Sequence, residues 1–409
     1  MLERQDAVRP NNSEVPAQAP SPFAISRRTL VLLGLTNFCG SAMLRICDPM
    51  LPALVREFAV TTGQAALCVS GYAVAFALMQ LLFGPLGDRW GKRRVIGWST
   101  LGCGLASLLA LAAGTLEMLV AARIFSGAMA AGTVSLALAW IGDAVPYEQR
   151  QVVLARFLST NLMGLIFGQW MSGLITDWLG WRWVFGVLGV LYLAVSSGLL
   201  LGAQEHRPAA GRASGPYWSK LAQVLRTPPA LLLFGFTGLE GAFVFGAVAF
   251  VPAFLVTTGG LSISAASAAV ALYAVGGFLY SAGAARLLSG LGERGVALAG
   301  GLSMGLAWLF LGWVNAWWAA IPAVLFGGIG YYMLHGTLMT RTSQLVPELR
   351  GTSMALFSAF MFGGVALGVA VGGVVIDRVG YATQFGICGL GLLALTAAVV
   401  RHLKRSPAQ

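Results

Sequence analysis

Apolar runs of about 20 residues recur along this chain from position 29 onward, separated by short polar turns. About 20 apolar residues carry a helix across a hydrocarbon core of roughly 30 Å. Lipid offers the backbone no hydrogen-bond partner, so such runs must be helices or strands of a closed barrel. Barrel strands are shorter and alternate in polarity, and these runs do neither. The pattern predicts an all-α integral membrane protein. Only 10% of the 409 residues are charged and 57% are apolar, far from the roughly 25% charged residues of soluble domains.

The runs predict twelve spans, near 29–54, 66–87, 95–114, 116–141, 152–176, 183–203, 230–257, 265–289, 295–314, 317–340, 352–376 and 382–402. Residues 1–28 are polar and proline-containing and read as a disordered cytoplasmic tail. They are no signal peptide, because the apolar run after Arg28 is too long and no clear small-residue cleavage site follows it. The longest interior connection, 204–229, carries His206, Arg207, Arg212, Lys220 and Arg226. It divides a six-helix bundle over 29–203 from a second over 230–402, and 403–409 form a short cytoplasmic tail.

A net charge of +11 raises the question of nucleic acid, and its distribution answers it. Arg56, Arg182 and Arg378 fall on one side of the predicted topology and Arg45 and Arg123 within the membrane. The other Lys and Arg residues fall on the opposite side. This is the positive-inside pattern, which puts both termini in the cytoplasm. The charge therefore reports topology, with attraction to anionic lipid as a secondary effect, and no nucleic-acid partner is expected. Cys39, Cys47, Cys68, Cys103 and Cys388 all lie in apolar runs at spacings that match no metal site or disulfide framework. They read as small core residues. No metal or other cofactor is expected.

The two halves repeat. Gly164, Gly168, Gly173, Asp177, Gly180 and Phe185 recur 200 positions later as Gly364, Gly368, Gly373, Asp377, Gly380 and Phe385. Arg150 and Arg350, and Pro52 and Pro252, keep the same offset. The repeat is parallel, which disfavours architectures built from five-helix inverted repeats.

Between the second and third runs stands Gly84-Pro85-Leu86-Gly87-Asp88-Arg89-Trp90-Gly91-Lys92-Arg93-Arg94. Gly84, Gly87 and Gly91 permit a sharp turn and close helix approach. Asp88 can accept from a helix N-terminus or pair with arginine. Arg89, Lys92, Arg93 and Arg94 can pair with acids or lipid phosphates. The order of glycine, acid and base resembles the loop between helices 2 and 3 of the major facilitator superfamily of secondary transporters. The resemblance covers nearly the whole chain after residue 28. It implies two parallel six-helix repeats, a substrate site near the midplane, and a gating role for this loop through contact with the other half. The other reading is a basic loop that only sets topology. The second half keeps fragments of it in Arg286, Gly292, Glu293 and Arg294.

Arg123, followed four residues later by Gly127, resembles the family's helix 4 motif, with Ser126 where glutamine is usual. An arginine inside a span costs at least about 2.5 kcal/mol on insertion scales and should face the bundle or a wet cavity; snorkelling to the interface is the alternative. In the first run Asn37, Ser41, Arg45 and Asp48 form one helical stripe, with Arg45 and Asp48 placed to pair at i, i+3. Asp48-Pro49-Met50-Leu51-Pro52 resembles the helix 1 end of the bacterial twelve-helix drug:proton antiporter branch. Together Arg45, Asp48 and Arg123 suit an anion site or an ion pair that closes the outer gate. Glu240 is the only acid placed deep in the second half. A buried carboxylate can carry a proton, so Glu240 is the first candidate for proton coupling or a cationic substrate contact, against a plain interhelical hydrogen bond. His335, one turn after Tyr331, can assist or be structural. Tyr72, Tyr273, Tyr280, Tyr331 and Phe362 are candidate aromatic lining.

Gly164, Gly168, Ser172 and Gly173 give a small-residue packing face, as do Gly364, Gly368 and Gly373. The first of these looks like the antiporter helix 5 motif, but Gly168-Gln169 stands where Gly-Pro is usual. Gly180-Trp181-Arg182-Trp183-Val184-Phe185 resembles the turn that follows it. The resemblance implies a monomeric, inner-membrane, multi-pass transporter, its partners a small molecule, protons and membrane lipid. Proton-driven efflux is the leading expectation and import of an organic anion by symport the alternative. A non-transporting membrane sensor is the contrasting class, disfavoured by the intramembrane charges. No phosphate-binding loop supports an ATP-driven pump, and no nucleophile–base pair supports an enzyme.

Overall fold

The computed structural model describes residues 26–145, 147–202 and 217–405. The tail expected over 1–28 lies outside them up to residue 25, as do 203–216 of the connection, with His206, Arg207 and Arg212, and 406–409. Among the described residues the chain is helical and holds no strand. The first half contains α1 (Arg27–Arg45), α2 (Cys47–Phe58), α3 (Thr62–Ala65), α4 (Leu67–Trp90), α5 (Lys92–Leu111), α6 (Leu116–Ala144), α7 (Tyr147–Leu179) and α8 (Trp181–Leu201). The second contains α9 (Tyr217–Arg226), α10 (Pro228–Val248), α11 (Val251–Thr257), α12 (Ile263–Val314), α13 (Ala320–Ser343), α14 (Arg350–Val379) and α15 (Tyr381–Arg405).

Among the described residues ten helices are long and apolar enough to cross a membrane, or eleven when α1 and α2, bent by 45°, count as one span. Twelve were expected. The difference is α12, whose 52 residues cover both runs at 265–289 and 295–314. At 1.5 Å per residue an unbroken helix of that length reaches about 78 Å, more than twice a hydrocarbon core. It is not unbroken: Gly292 interrupts it with φ 65° and ψ 173°. Gly91, Gly180 and Gly380, at φ 90°, 93° and 87°, join α4 to α5, α7 to α8 and α14 to α15 in single-residue turns. A side chain disfavours that left-handed backbone.

Three boundaries differ from expectation. Ser26 caps α1 by accepting from the Thr29 amide at 3.2 Å, so the helix begins inside the supposed tail. The 204–229 connection contains α9, which buries Leu221 and Val224 against the second half. α15 runs to Arg405, past the expected start of the last tail.

Packing repeats as the sequence does. α1 lies on α7, α4 on α6 and α5 on α8; in the second half α10 lies on α14 and α12 on both α13 and α15. A Cβ on Gly164 would strike the Phe38 carbonyl, and one on Gly364 the Gly238 carbonyl. Gly168 lies against Ala42 and Gly368 against Ala242. The partners, like the glycines, are 200 positions apart. Such close approach is how small residues hold helices together in lipid, where no hydrophobic drive separates helix from solvent.

The halves meet along α4–α14 and α7–α12. Gly173 abuts Ser267, and Gly373 abuts Gly63. One end of the bundle carries Lys92, Arg93, Arg94 and Arg341 and is here termed the basic end. At the opposite end Met50, Leu51 and Leu54 share a core with Ala249, Phe250, Ala253 and Val369, so that end is sealed across the halves. The core nearest the basic end in the first half, around Leu33, Phe83, Trp140 and Leu199, is built of first-half residues.

Two acids clamp the sealed end. Thr61 caps α3 by accepting from the Gln64 amide, and Asp377 of the other half accepts from the Gly63 amide at 3.1 Å through both carboxylate oxygens. Ser262 caps α12 by accepting from the Ala265 amide, and Asp177 of the other half accepts from the Ser264 amide at 2.7 Å and from its hydroxyl. The first amides of a helix have no partner within it. At each junction the local cap satisfies one of them and the opposite half satisfies its neighbour.

Candidate functional site

The α1–α2 bend positions the first group. Arg45 ends α1 and Asp48 opens α2. Arg45 Nη1 lies 3.1 Å from Asp48 Oδ2, with the Asp48 side chain wholly buried. Neither Asp48 oxygen has an aligned hydrogen bond, so the contact is one of charge. Arg123 of α6 reaches α1 as well, through the Met43 carbonyl two residues before Arg45. Arg123 does not snorkel. It is 1% exposed, donates from Nε to the Cys68 carbonyl and from Nη1 to the Met43 carbonyl, both at 3.1 Å, and stacks 4.2 Å over Tyr72. Its Nη2 has no hydrogen-bond partner. Asn37 is committed elsewhere: Nδ2 donates to the Phe157 carbonyl at 2.8 Å and to Thr160 Oγ1 at 3.1 Å. Asn161 donates to Asn37 Oδ1 at 3.3 Å and to Ser41 Oγ at 2.6 Å. This net ties α1 to α7.

The second group comes from α10 and α13. Glu240 is fully buried, and its Oε2 lies 2.9 Å from His335 Nδ1, whose side chain is 20% exposed. Glu240 Oε1 has no partner. The His335 ring stacks on Tyr331 at 4.7 Å between centroids, and Tyr331 meets Phe245 at 5.6 Å and Tyr273 at 5.7 Å. Arg45 lies 4.5 Å over the Phe245 ring. A continuous path therefore runs from Asp48 and Arg45 in one half, through Phe245 and Tyr331, to His335 and Glu240 in the other. Sequence reading found its ends but missed Phe245, which lies in an apolar run rich in phenylalanine and carries no distinguishing local signal. Phe362 instead packs on Phe76 across the halves at 4.2 Å.

The 84–94 segment is mostly helix. α4 continues through Gly84, Pro85, Gly87, Asp88 and Arg89, and Gly91 alone makes the turn. Gly87 admits the Leu136 side chain, and Gly84 faces the Tyr217 ring. Burial, then the nearby Asp88 charge, push the Tyr217 phenol above its ordinary value. The segment thus reaches α9, which packs on α10 and α14. Lys92 pairs with Asp143, and Arg93 donates from Nε to the Leu199 carbonyl at 3.1 Å. The second half reverses the first pair's polarity. After the Gly292 turn, Glu293 accepts from Arg341 Nε at 2.6 Å and Nη2 at 2.5 Å.

Comparison with known proteins places this geometry. The Major Facilitator Superfamily profile matches residues 33–368. A chloramphenicol resistance protein of Streptomyces lividans is 28% identical over 71% of this chain and 74% of its own length. A lincomycin resistance protein of Streptomyces lincolnensis is 30% identical over 51% of this chain and 42% of its own length. The transporter YybF of Bacillus subtilis, itself uncharacterized, is 30% identical over 39% of this chain, and the match spans 40% of its own length. In fold, the nucleoside transporter NupG (D323A mutant) superposes with a TM-score of 0.76 at 15% identity, over 91% of this chain and 98% of NupG. A bacterial homolog of the lysosomal transporter Spinster, solved inward-facing and unoccupied, gives 0.70 at 17% identity over 95% and 100%. This chain belongs to the Major Facilitator Superfamily, a family of transporters and not of enzymes.

Proposed function

We propose that this protein exports a small amphipathic molecule in exchange for protons, by alternating exposure of one central site. The observation that carries the reading is the Glu240–His335 pair. A fully buried acid hydrogen-bonded to a partly exposed imidazole is a proton-holding unit inside a membrane. Glu240 is fully buried, so His335, the partly exposed member, is the one a substrate reaches, and the proton is held between its Nδ1 and Glu240 Oε2. The ring of Tyr331 stacked on His335 gives an aromatic substrate a surface adjoining the proton. The chloramphenicol and lincomycin resistance relatives support export. In this reading α12 is two spans joined at Gly292, the basic end faces the cytoplasm, both termini lie there, and a monomer works in the inner membrane. The seal at the opposite end supports a state closed to the outside.

The test is proteoliposomes loaded with a pH-sensitive dye under an inward proton gradient, with compounds supplied inside. A compound that discharges the gradient in the wild type but not in Glu240→Gln supports antiport through this pair. Coupling that survives Glu240→Gln moves the proton site to Asp48 or to His335 alone. A second reading, import of an organic anion with protons, is favoured by one observation: Arg123 Nη2 is buried without a hydrogen-bond partner. It predicts discharge only when compound and protons enter together.

A further inference from the structure

The Glu240–His335 region is not the only place built to hold a molecule. A cavity of about 430 Å³ opens between α4, α5 and α6, lined by Met79, Phe83, Trp90, Arg94, Trp98 and Met129 among others. That volume lies within the range of ordinary ligand pockets. Apart from Arg94 and Ser99 its walls are apolar. Its floor is buried, with Phe83 4% and Ser99 2% exposed. Trp90 and Trp98 flank its mouth at 55% and 62% exposure, on the surface of a membrane protein and next to the basic end.

The neighbouring cations are engaged, Lys92 by Asp143 and Arg93 by the Leu199 carbonyl. Arg94 is exposed and makes no hydrogen bond or ion pair among the described residues. An arginine with free donors at the rim of an apolar slot, between two tryptophans of interfacial character, matches a molecule with one acyl chain to bury and a phosphate to present. A guanidinium binds phosphate oxygens in a two-pronged fashion. We infer that this cavity is a binding site for an anionic phospholipid of the surrounding membrane, an acyl chain inserted between α4, α5 and α6 and the phosphate held by Arg94. The inference needs only the membrane embedding of the chain and stands apart from the transport reading. The site adjoins the Gly91 turn, so its occupancy braces the segment that reaches α9.

The experiment is native mass spectrometry of the purified full chain in neutral detergent, titrated with phosphatidylglycerol, with phosphatidylcholine of the same chains, and with glycerol phosphate. The wild type should retain one phosphatidylglycerol about tenfold more tightly than phosphatidylcholine: both offer Arg94 a phosphate, but the choline ammonium cancels the headgroup's net charge beside the guanidinium. Arg94→Gln should abolish the preference, Arg94→Lys should keep part of it, and Arg286→Gln should leave it intact. Met79→Trp, which fills the slot, should weaken retention of both lipids while the thermal transition and monodispersity stay those of a folded protein. The inference is overturned if the wild type does not discriminate, if Arg94→Gln keeps the preference, or if Met79→Trp retains both lipids. Displacement of the lipid by equimolar glycerol phosphate would also overturn it, leaving a phosphate site with no role for the chain.

Discussion

Replacing Asp177 and Asp377 by alanine should open the sealed end of the bundle. Each acid accepts from a helix-terminal amide of the opposite half, Ser264 and Gly63 respectively, so each bond exists only while the halves are together there. Loss of a side-chain cap costs about 0.5–2 kcal/mol. Both acids are exposed, which argues for the lower half of that range, about 1 kcal/mol each. The two junctions share no partner, so their effects should add, to about 2 kcal/mol for the pair. That is roughly a 30-fold rise in the open fraction. Asparagine keeps an acceptor for the amide and loses only the charge at the helix terminus, worth about 0.3–1 kcal/mol. The order should be double alanine, then double asparagine, then wild type.

The assay is the alkylation rate of a single cysteine, Ala253→Cys, in a background without the five native cysteines. Ala253 is 2% exposed and belongs to the core shared by the two halves at the sealed end. Its reaction with a polar maleimide therefore tracks the open fraction, even when that fraction is small. An unchanged rate in the folded double-alanine protein would refute the clamp. Equal rates for alanine and asparagine would show that charge, and not the hydrogen bond to the amide, holds the junction.

Other outcomes follow from the packing and the site. Gly328→Ala puts a methyl against the Tyr273 carbonyl, and overpacking of this kind costs about 1–3 kcal/mol; Gly336→Ala meets open space and should hold or raise the thermal transition. Arg123→Ala removes two buried hydrogen bonds at roughly 1.5–3 kcal/mol each. Arg123→Lys should not rescue it in a thermal-shift measurement, because an ammonium lacks the planar fork. The Glu293–Arg341 pair is partly exposed, so a double-mutant cycle should find a coupling of about 0.2–1 kcal/mol, most of it recovered by exchanging the two residues.

Much of the architecture was legible because lipid leaves few options. Span length, the basic side and the parallel repeat were readable from the chain, and the glycines at 164, 168, 364 and 368 carried their partners with them. The count of separate helices was not. A positive-φ glycine such as Gly292 looks like any other in a chain with 54 of them, and its helix can continue in register on both sides. The pairing of Arg45 with Asp48 was legible because it is local. The pairing of His335 with Glu240 joins positions 95 apart in sequence, and only the docking of α13 on α10 brings them together. Asn37 shows the reverse. Its place on the polar stripe pointed to the cavity, yet its donors are spent on Phe157 and Thr160 of α7. A polar stripe on a membrane helix marks a face that needs partners, and a neighbouring helix supplies them as well as a substrate does.

The repeat preserves one class of contact and discards another. Backbone approaches recur across the halves: Gly127 on the Tyr72 carbonyl matches Gly328 on the Tyr273 carbonyl, and the two acid clamps match as well. The charged groups buried within the spans do not recur. The first half holds Arg45, Asp48 and Arg123 and the second Glu240 and His335, and even the pair beside the glycine turn is reversed, Lys92–Asp143 against Glu293–Arg341. The alternating exposure proposed above needs two scaffolds that move alike, and shared contacts that set helix approach supply them. The proposed exchange needs the ends of the central path to differ, so that a proton and a substrate each find one site. The aromatic path through Phe245 and Tyr331 is where the two requirements meet. It links groups that the repeat has made unlike, across the boundary between the halves. Phe245→Ala should therefore weaken the communication between proton and substrate while each half folds as before. The measurement is the shift in substrate affinity between two pH values, compared for wild type and variant; an undiminished shift would leave Phe245 as packing alone.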